Sequence, residues 1–191
     1  MSNQGQICTA TSRLLAQRGI YDAFLRKFLG PQVSKQQYER ILSFVKRGQE
    51  QGAKLLAGGD RPDTETTRGG YFINPTVFAD VTRDMDIFQQ EIFGPFVVVT
   101  QFDTEEESVA LSNDSAYGLA AAVFSMNVER VHCIAERLDA GVVWINSSQD
   151  ADVQMPFGGF KQSGIGRELG EVTLAAYTQE KAIHLSLGLK L

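Results

Sequence analysis

The sequence predicts an α/β protein with a mainly parallel open sheet flanked by helices. Short β-like runs alternate with amphipathic helical stretches, which is the pattern of parallel sheets with helical crossovers. Phe96–Phe102 is apolar on both faces at its start, as a strand buried between helices requires. A chain of 191 residues, of which 43% are hydrophobic and 21% charged, is long enough to bury one sizeable core.

Two elements are predicted before the first strong helix signal. Arg13–Gln17 is predicted to be a strand. Ile20, Phe24 and Phe28 recur at every fourth position, which suits a short helix.

The next helix has a clear start. Ser34 and Gln37 have the spacing of a capping box, in which the two side chains satisfy free N–H groups at a helix N-terminus. Gly52 is placed to end the helix in a left-handed conformation, which glycine adopts without strain. The apolar stripe between them consists of Tyr38, Ile41, Leu42 and Val45.

Two extended segments and a loop precede Phe96–Phe102. Ala53–Ala57 is predicted to be a strand. Residues 60–70 are polar and rich in turn-forming types, so we expect an exposed loop there. Tyr71–Phe78 is predicted to be extended, and Pro75 favours an edge or irregular position because proline lacks an N–H.

The alternation continues to the Gly-rich residues 156–166. Thr104 and Glu107 repeat the capping-box spacing and predict a helix start. The later elements are strands at Ala120–Phe124 and Val142–Asn146, a helix with Val128, Val131, Ala135 and Leu138 on one face, and a short helix at Glu168–Ala176.

The C-terminal segment Lys181–Leu187 alternates apolar and polar residues. Ile183, Leu185 and Leu187 would share one face of a strand that has no hairpin partner nearby. An unpaired strand edge tends to join another sheet. Two outcomes stay open, an edge strand on the chain's own sheet and a strand added to the sheet of a second subunit.

The composition limits which binding partners and which cellular compartment are expected. The net charge of −5 gives no electrostatic reason to expect nucleic acid or an anionic membrane. No apolar run approaches the roughly 20 residues that span a bilayer, and the first residues lack the pattern of a signal peptide. Two cysteines do not make a disulfide framework, so a reducing, cytoplasmic location is expected.

Cys8 is the strongest candidate for chemistry. Its neighbours Gly5, Gln6 and Thr9 suit a tight turn that offers backbone N–H groups, which a nucleophilic thiolate and an oxyanion hole need. The alternative is a small buried residue that fills space. Cys133 falls in a helical pattern and is interpreted as structural.

Other kinds of site are less well supported by the sequence. His132 and His184 lack ligand spacing, so no metal is expected, and neither is an obvious base for a cysteine protease. The glycines at 158, 159, 164 and 166 do not follow a phosphate-loop pattern and are expected to let the backbone pass close to Cys8.

Five sequence blocks resemble the aldehyde dehydrogenase superfamily, in the family's order and over nearly the whole chain. The residues of the first block, 3–13, are most similar to those of the betaine-aldehyde branch. The blocks are residues 3–13 (NQGQICTATSR), 91–95 (EIFGP), 113–119 (NDSAYGL), 156–164 (PFGGFKQSG) and 167–170 (RELG).

The resemblance implies oxidation of a small-molecule aldehyde to a carboxylate with NAD or NADP. Cys8 would attack the carbonyl carbon and carry the thiohemiacetal and thioester. By the same resemblance Glu91 binds the nicotinamide-ribose hydroxyls, with a solvated carboxylate as its alternative. The resemblance also places Phe93, Leu119 and Gln37 at the cofactor, where the alternative is core packing for Phe93 and Leu119 and helix capping for Gln37. It places Phe157 and Ile7 at the substrate, and the alternative for Phe157 is a hydrophobic plug under the Gly-rich loop.

The resemblance also divides the chain into a catalytic thiol domain at 1–178 and an oligomerisation strand at 179–191 that would join a neighbouring subunit in a homo-oligomer. The family's upstream dinucleotide-binding domain, with its general base, has no counterpart here, so little turnover is expected from this chain alone. An inactive remnant that serves only in assembly is the alternative. The short connection at Leu29–Gly30, where the family has a longer polar one, suggests a deletion, a gene-model error or a skipped exon.

Overall fold

The main sheet of this computed structural model, which describes residues 2–17, 31–62, 67 and 69–188, has four strands in the order β1-β4-β3-β2. The strands β1 and β3 run parallel to β4 on either side of it, and β2 is antiparallel to β3. The predicted open, mainly parallel sheet is therefore confirmed. The strands are β1 (Arg13–Gln17), β2 (Lys54–Ala57), β3 (Thr76–Ala79) and β4 (Phe96–Phe102).

The helix α1 (Lys35–Glu50) covers this sheet and begins as its sequence predicts. Ser34 Oγ accepts a hydrogen bond of 3.2 Å from the main-chain N–H of Gln37. After the helix Gly52 has φ +92°, the left-handed ending that glycine permits. The predicted stripe omitted Phe44, which is 1% exposed.

The core between α1 and the sheet is aromatic and branched aliphatic. The rings of Phe78 and Phe96 stack at 5.2 Å between centroids, and Ile41 and Val98 are almost fully buried beside them. Burying one such side chain stabilises a fold by about 1.5–3 kcal/mol. This core fixes both α1, whose Gln37 side chain bonds to the loop at 91–95, and the start of β4, which follows that loop.

The position of β3 follows from where its proline lies. Pro75 comes immediately before β3, so its missing N–H falls outside the ladder that pairs β3 with both neighbours. The irregular position predicted for this residue is confirmed, and the edge strands of the sheet are β1 and β2.

After β4, the described residues form two small sheets and do not extend the main one. A parallel pair and an antiparallel pair lie there, the latter with two residues in each strand. The elements are α2 (Asp86–Gln89), α3 (Glu105–Asn113), β5 (Tyr117–Gly118) paired with β8 (Phe160–Lys161), β6 (Ala120–Val123) paired with β7 (Val142–Ile145), α4 (Val128–Glu136) and α5 (Leu174–Tyr177).

One prediction near the C-terminus is wrong, and one of the two outcomes left open there is not found. The helix predicted at Glu168–Ala176 starts later, because Leu169 and Gly170 have φ of 59° and 63° and form a left-handed turn before a short 3-10 helix and α5. Lys181–Leu187 forms no strand on the chain's own sheet. Its apolar residues have no partner face in the described residues, and Ile183, Leu185 and Leu187 are 80%, 81% and 83% exposed.

Burial is uneven along the chain. Among the described residues, Val131 and Leu138 are the only buried apolar side chains after residue 110. The residues after that point expose many large apolar side chains, among them Phe124, Met126, Val153, Met155, Ile165, Leu174 and Tyr177.

The helix predicted around Ile20, Phe24 and Phe28 lies outside the described residues. No helix in the described ranges has the length and apolar character needed to cross a membrane.

Candidate active site

Cys8 lies at the exposed tip of a β-turn formed by Ile7–Ala10, called the Cys8 turn below. The N–H of Ala10 donates to the carbonyl oxygen of Ile7 at 2.9 Å and closes the turn. Cys8 and Thr9 occupy its two central positions. The alternative of a buried, space-filling Cys8 is therefore wrong.

The turn leaves two backbone donors free. Neither the N–H of Cys8 nor that of Thr9 has a hydrogen-bond acceptor among the residues that the structure describes. Free N–H groups next to a thiol are the donors that an oxyanion needs. The predicted turn with available N–H groups is confirmed in its geometry.

A glycine contact brings the Glu91–Pro95 loop against the residues that lead into the Cys8 turn. Gly5 is buried with φ +74°, and a Cβ built on it would overlap the carbonyl oxygen of Gly94. No other residue type fits this approach without displacing a backbone. Two of the sequence blocks that resemble one family therefore meet in space at this contact.

The Glu91–Pro95 loop presents one free charge and one strained residue. The Glu91 side chain is exposed, and its carboxylate has no hydrogen-bond or ion-pair partner in the described ranges. Ile92 is buried and anchors the loop in the core. Phe93 is half-buried and has φ +61°, a left-handed conformation that is uncommon for a residue with a side chain.

Gln37 combines the two roles that its sequence position left open. Its main-chain N–H completes the helix cap with Ser34. Its side chain does not return to the cap, as a full capping box would require, and Nε2 donates instead to the carbonyl oxygens of Ile92 and Phe93 at 2.9 and 2.7 Å. The structure thus links Gln37 to the loop that carries Glu91 and Phe93.

Arg13 fixes the strand that follows the Cys8 turn. Its guanidinium donates to the carbonyl oxygens of Leu111 and Ser112 at 3.4 and 3.1 Å, at the C-terminal end of α3, where a cation is favoured. It also lies over the Phe88 ring, 5.0 Å from the centroid. Burial lowers the pKa of the Arg13 guanidinium, and the nearby carboxylate of Asp114 opposes that shift.

Sequence reasoning missed two glutamines that hold the Cys8 turn. Gln6 Oε1 accepts a bond of 3.0 Å from the N–H of Val33, just before α1. Gln149 Nε2 donates to the carbonyl oxygen of Thr9 over 3.5 Å. Both are amides in loops, and no periodicity in the sequence marks such residues.

Of the remaining predicted site residues, Ile7 lies in the Cys8 turn, and Leu119 and Phe157 lie in other segments. Ile7 is 37% exposed. Leu119 is half-buried between β5 and β6, and Phe157 is half-buried with its backbone paired to Glu168 through two bonds of 2.7 Å. None of the hydrogen bonds or ring contacts found in the described ranges joins the side chain of Leu119 or Phe157 to Cys8.

The glycines of residues 156–166 do not serve the purpose that was expected. A Cβ on Gly158 would meet Gly166 and Arg167, and Gly141 packs against the carbonyl oxygen of Gly158. The close approaches of these glycines are thus internal to the loop and its neighbour, and the expectation that they pass close to Cys8 is wrong.

The other titratable residues that the sequence singled out lie apart from the turn. Cys133, interpreted as structural, is exposed on α4, and so is His132. His184 belongs to the exposed terminal segment. No group of three or more His, Cys, Asp or Glu residues in the described ranges is arranged to hold a metal ion.

Comparison with known proteins gives a consistent set of matches. The model of the aldehyde dehydrogenase family matches residues 1–29 and 26–183. An aldehyde dehydrogenase of Emericella nidulans is 47% identical over 204 residues, which covers 97% of this chain and 40% of that protein. The chain therefore spans about 40% of the length of such curated relatives.

Solved structures agree with the sequence matches. The NAD+ complex of an aldehyde dehydrogenase from Bacillus cereus superposes with a TM-score of 0.89 at 42% identity, covering 98% of this chain and 41% of that one. A mutant apo betaine aldehyde dehydrogenase from Staphylococcus aureus has a TM-score of 0.84 at 39% identity, covering 91% and 38%.

The matches are consistent with the short connection that the sequence suggested. The two family-model segments overlap at residues 26–29, and the alignment with the Emericella protein is longer than this chain. Both are expected if relatives carry additional residues near that point.

Proposed function

The chain belongs to the aldehyde dehydrogenase family, and on that premise we propose that it carries the thiol part of an NAD- or NADP-dependent aldehyde dehydrogenase site. One observation supports this most: Cys8 is exposed at the tip of a turn whose two central N–H groups have no acceptor among the described residues. The Glu91–Pro95 loop lies against the residues that precede that turn.

The chemistry begins at Sγ of Cys8. Its thiolate attacks the carbonyl carbon of a small aldehyde and forms a thiohemiacetal, whose oxyanion accepts hydrogen bonds from the N–H groups of Cys8 and Thr9. A bound NAD or NADP would supply the hydride acceptor that converts this adduct into a thioester. Water then breaks the C–S bond, which releases the carboxylate and returns the thiol.

The residues present fit a nicotinamide-ribose end of such a cofactor. The free carboxylate of Glu91 can accept hydrogen bonds from two neighbouring hydroxyl groups, and the half-buried ring of Phe93 can pack against a flat heterocycle. Gln37 belongs to this site through the loop that it holds. We assign Leu119 to its apolar wall on the resemblance alone.

The substrate side is assigned to Ile7 and Phe157. Ile7 is adjacent to Cys8 and partly exposed, so it can contact the alkyl part of an aldehyde. Phe157 is the one aromatic in the proposed substrate region, and an aromatic face favours a cationic group such as the ammonium of betaine aldehyde. Betaine aldehyde and a simple alkyl aldehyde are therefore the substrates to compare first.

Alkylation of the two cysteines tests the proposal, because Cys8 and Cys133 are both exposed and differ in surroundings. We expect iodoacetamide to modify Cys8 faster than Cys133. Peptide mapping by mass spectrometry gives both rates in one sample. Equal, slow modification of both thiols would favour the alternative, an inactive family remnant that serves only in assembly.

The terminal segment supports a proposed homo-oligomer. Residues 179–188 form no strand in this chain, and the apolar side of the alternation at Ile183, Leu185 and Leu187 is exposed. A second copy whose sheet accepts this segment would pair its backbone and cover that side. We accordingly keep 1–178 as the catalytic unit and 179–191 as the oligomerisation strand.

Removing residues 181–191 should weaken self-association, because the truncated chain has no strand to donate. Replacing Leu185 by Ser should act in the same direction, whereas replacing His184 by Ser, on the opposite side of the alternation, should not. Sedimentation velocity of the purified variants measures the change. An oligomer size that is the same for all of them would reject this role of the segment.

Two exposed free thiols also suit the reducing cytoplasm, where we place the protein.

A further inference from the structure

The Glu91–Pro95 loop is held through its backbone by two side chains of α1. Gln37 Nε2 donates to the carbonyl oxygens of Ile92 and Phe93 at 2.9 and 2.7 Å. Arg40 Nη2 donates to that of Glu91 at 2.7 Å. Three consecutive carbonyls therefore accept from one face of one helix.

The bonds from Gln37 bracket the strained residue of the loop. The carbonyl of Ile92 belongs to the peptide plane before Phe93, and the carbonyl of Phe93 belongs to the plane after it. Holding both planes from one amide group restricts φ and ψ of Phe93 together. A left-handed residue with a side chain persists only where its surroundings impose it, and here the amide does so.

The same arrangement leaves the functional side chains of the loop free. Both N–H groups of the Gln37 amide are used by the two carbonyls, so this nitrogen has no donor left for a ligand. The carboxylate of Glu91 has no partner in the described part of the chain. The loop is thus held by its main chain, and its side chains remain available.

We infer that Gln37 is a positioning residue that keeps the Phe93 backbone left-handed and so orients Glu91 and Phe93 toward the nicotinamide ribose, without itself donating a hydrogen bond to the cofactor. This inference rests on the proposed function. It also predicts that the donors of Gln37, and not its size or its carbonyl oxygen, matter for the loop.

Variants of Gln37 in the full 191-residue chain test this inference by amide hydrogen exchange in a peptide that spans the loop. Gln37→Ala and Gln37→Glu remove both donors, and we expect loop exchange to become about tenfold faster. Gln37→Lys restores a donor, so exchange should return toward the original rate. The exposed neighbour Gln36 forms no hydrogen bond through its side chain in the described residues, so Gln36→Ala is the matched control and should change nothing.

The helix cap survives in every variant, because Ser34 accepts from the main-chain N–H of residue 37. A change in loop exchange therefore does not report loss of the helix start. If Gln37→Ala exchanges no faster than Gln36→Ala, the inference is overturned. A Gln37→Lys variant that exchanges as fast as Gln37→Ala would also overturn it.

Calorimetric titration with NAD separates this inference from the proposed function. Weaker NAD binding by Gln37→Ala, with recovery in Gln37→Lys, supports the positioning role. Unchanged NAD affinity despite faster loop exchange overturns it. If the unaltered chain binds no NAD while Gln37→Ala still loosens the loop, the hold on the loop stands and this chain alone does not form the proposed cofactor site.

Discussion

Replacing Gly5 by Ala is expected to separate the Cys8 turn from the Glu91–Pro95 loop and to destabilise the fold by about 2–4 kcal/mol. The added Cβ would overlap the carbonyl oxygen of Gly94, and φ at Gly5 is +74°. The obstructing atom belongs to the backbone, so no change of side-chain rotamer relieves the clash. Either the turn or the loop must move, and the residues that lead into the Cys8 turn then lose their contact with the loop that carries Glu91 and Phe93.

Gly52 provides the matched control for this substitution. It has φ +92°, but a Cβ there would have no atom within 4 Å. Gly52→Ala therefore carries the backbone strain without the collision, and about 1 kcal/mol of destabilisation is expected. Urea unfolding of both variants gives the two free-energy changes. A Gly5→Ala variant that loses no more stability than Gly52→Ala would show that the close approach to Gly94 does not hold the site together.

The sequence predicted those elements whose signals are local. The start of α1 was readable because Ser34 caps a main-chain N–H only three residues away. The strand β4 was readable because a continuous apolar run can be buried on both faces between helices. β5 and β8, with two residues each, give no periodic signal and depend on a pairing between distant parts of the chain.

The candidate site shows the same division between local and tertiary information. The resemblance singled out Cys8, Glu91 and Phe93 as positions, but not the contact of Gly5 with Gly94 or the hold of Gln37 on the loop. Those contacts join segments far apart in sequence and are set by packing. The Lys181–Leu187 pattern was read correctly as alternating, yet a strand needs a partner edge, and none of the described strands pairs with this segment.

Replacing Cys8 by Ser is expected to abolish the covalent step. At neutral pH a free thiol is ionised to about a few per cent, whereas a serine hydroxyl has almost no ionised form without a general base. An activated ester such as p-nitrophenyl acetate tests this without hydride transfer. The thiolate attacks its acyl carbon, a thioester forms, and the ester C–O bond breaks to release p-nitrophenolate. Release by the Cys8→Ser variant should fall to the rate of uncatalysed hydrolysis.

The most direct test of Cys8 as the nucleophile is therefore the site of acetylation after brief exposure of the 191-residue chain to p-nitrophenyl acetate, mapped by peptide mass spectrometry. We expect the acetyl group on Cys8 and not on Cys133, although both thiols are exposed. Acetylation of the two cysteines to equal extents, or of Cys133 first, would contradict the assignment of Cys8 as the reacting residue.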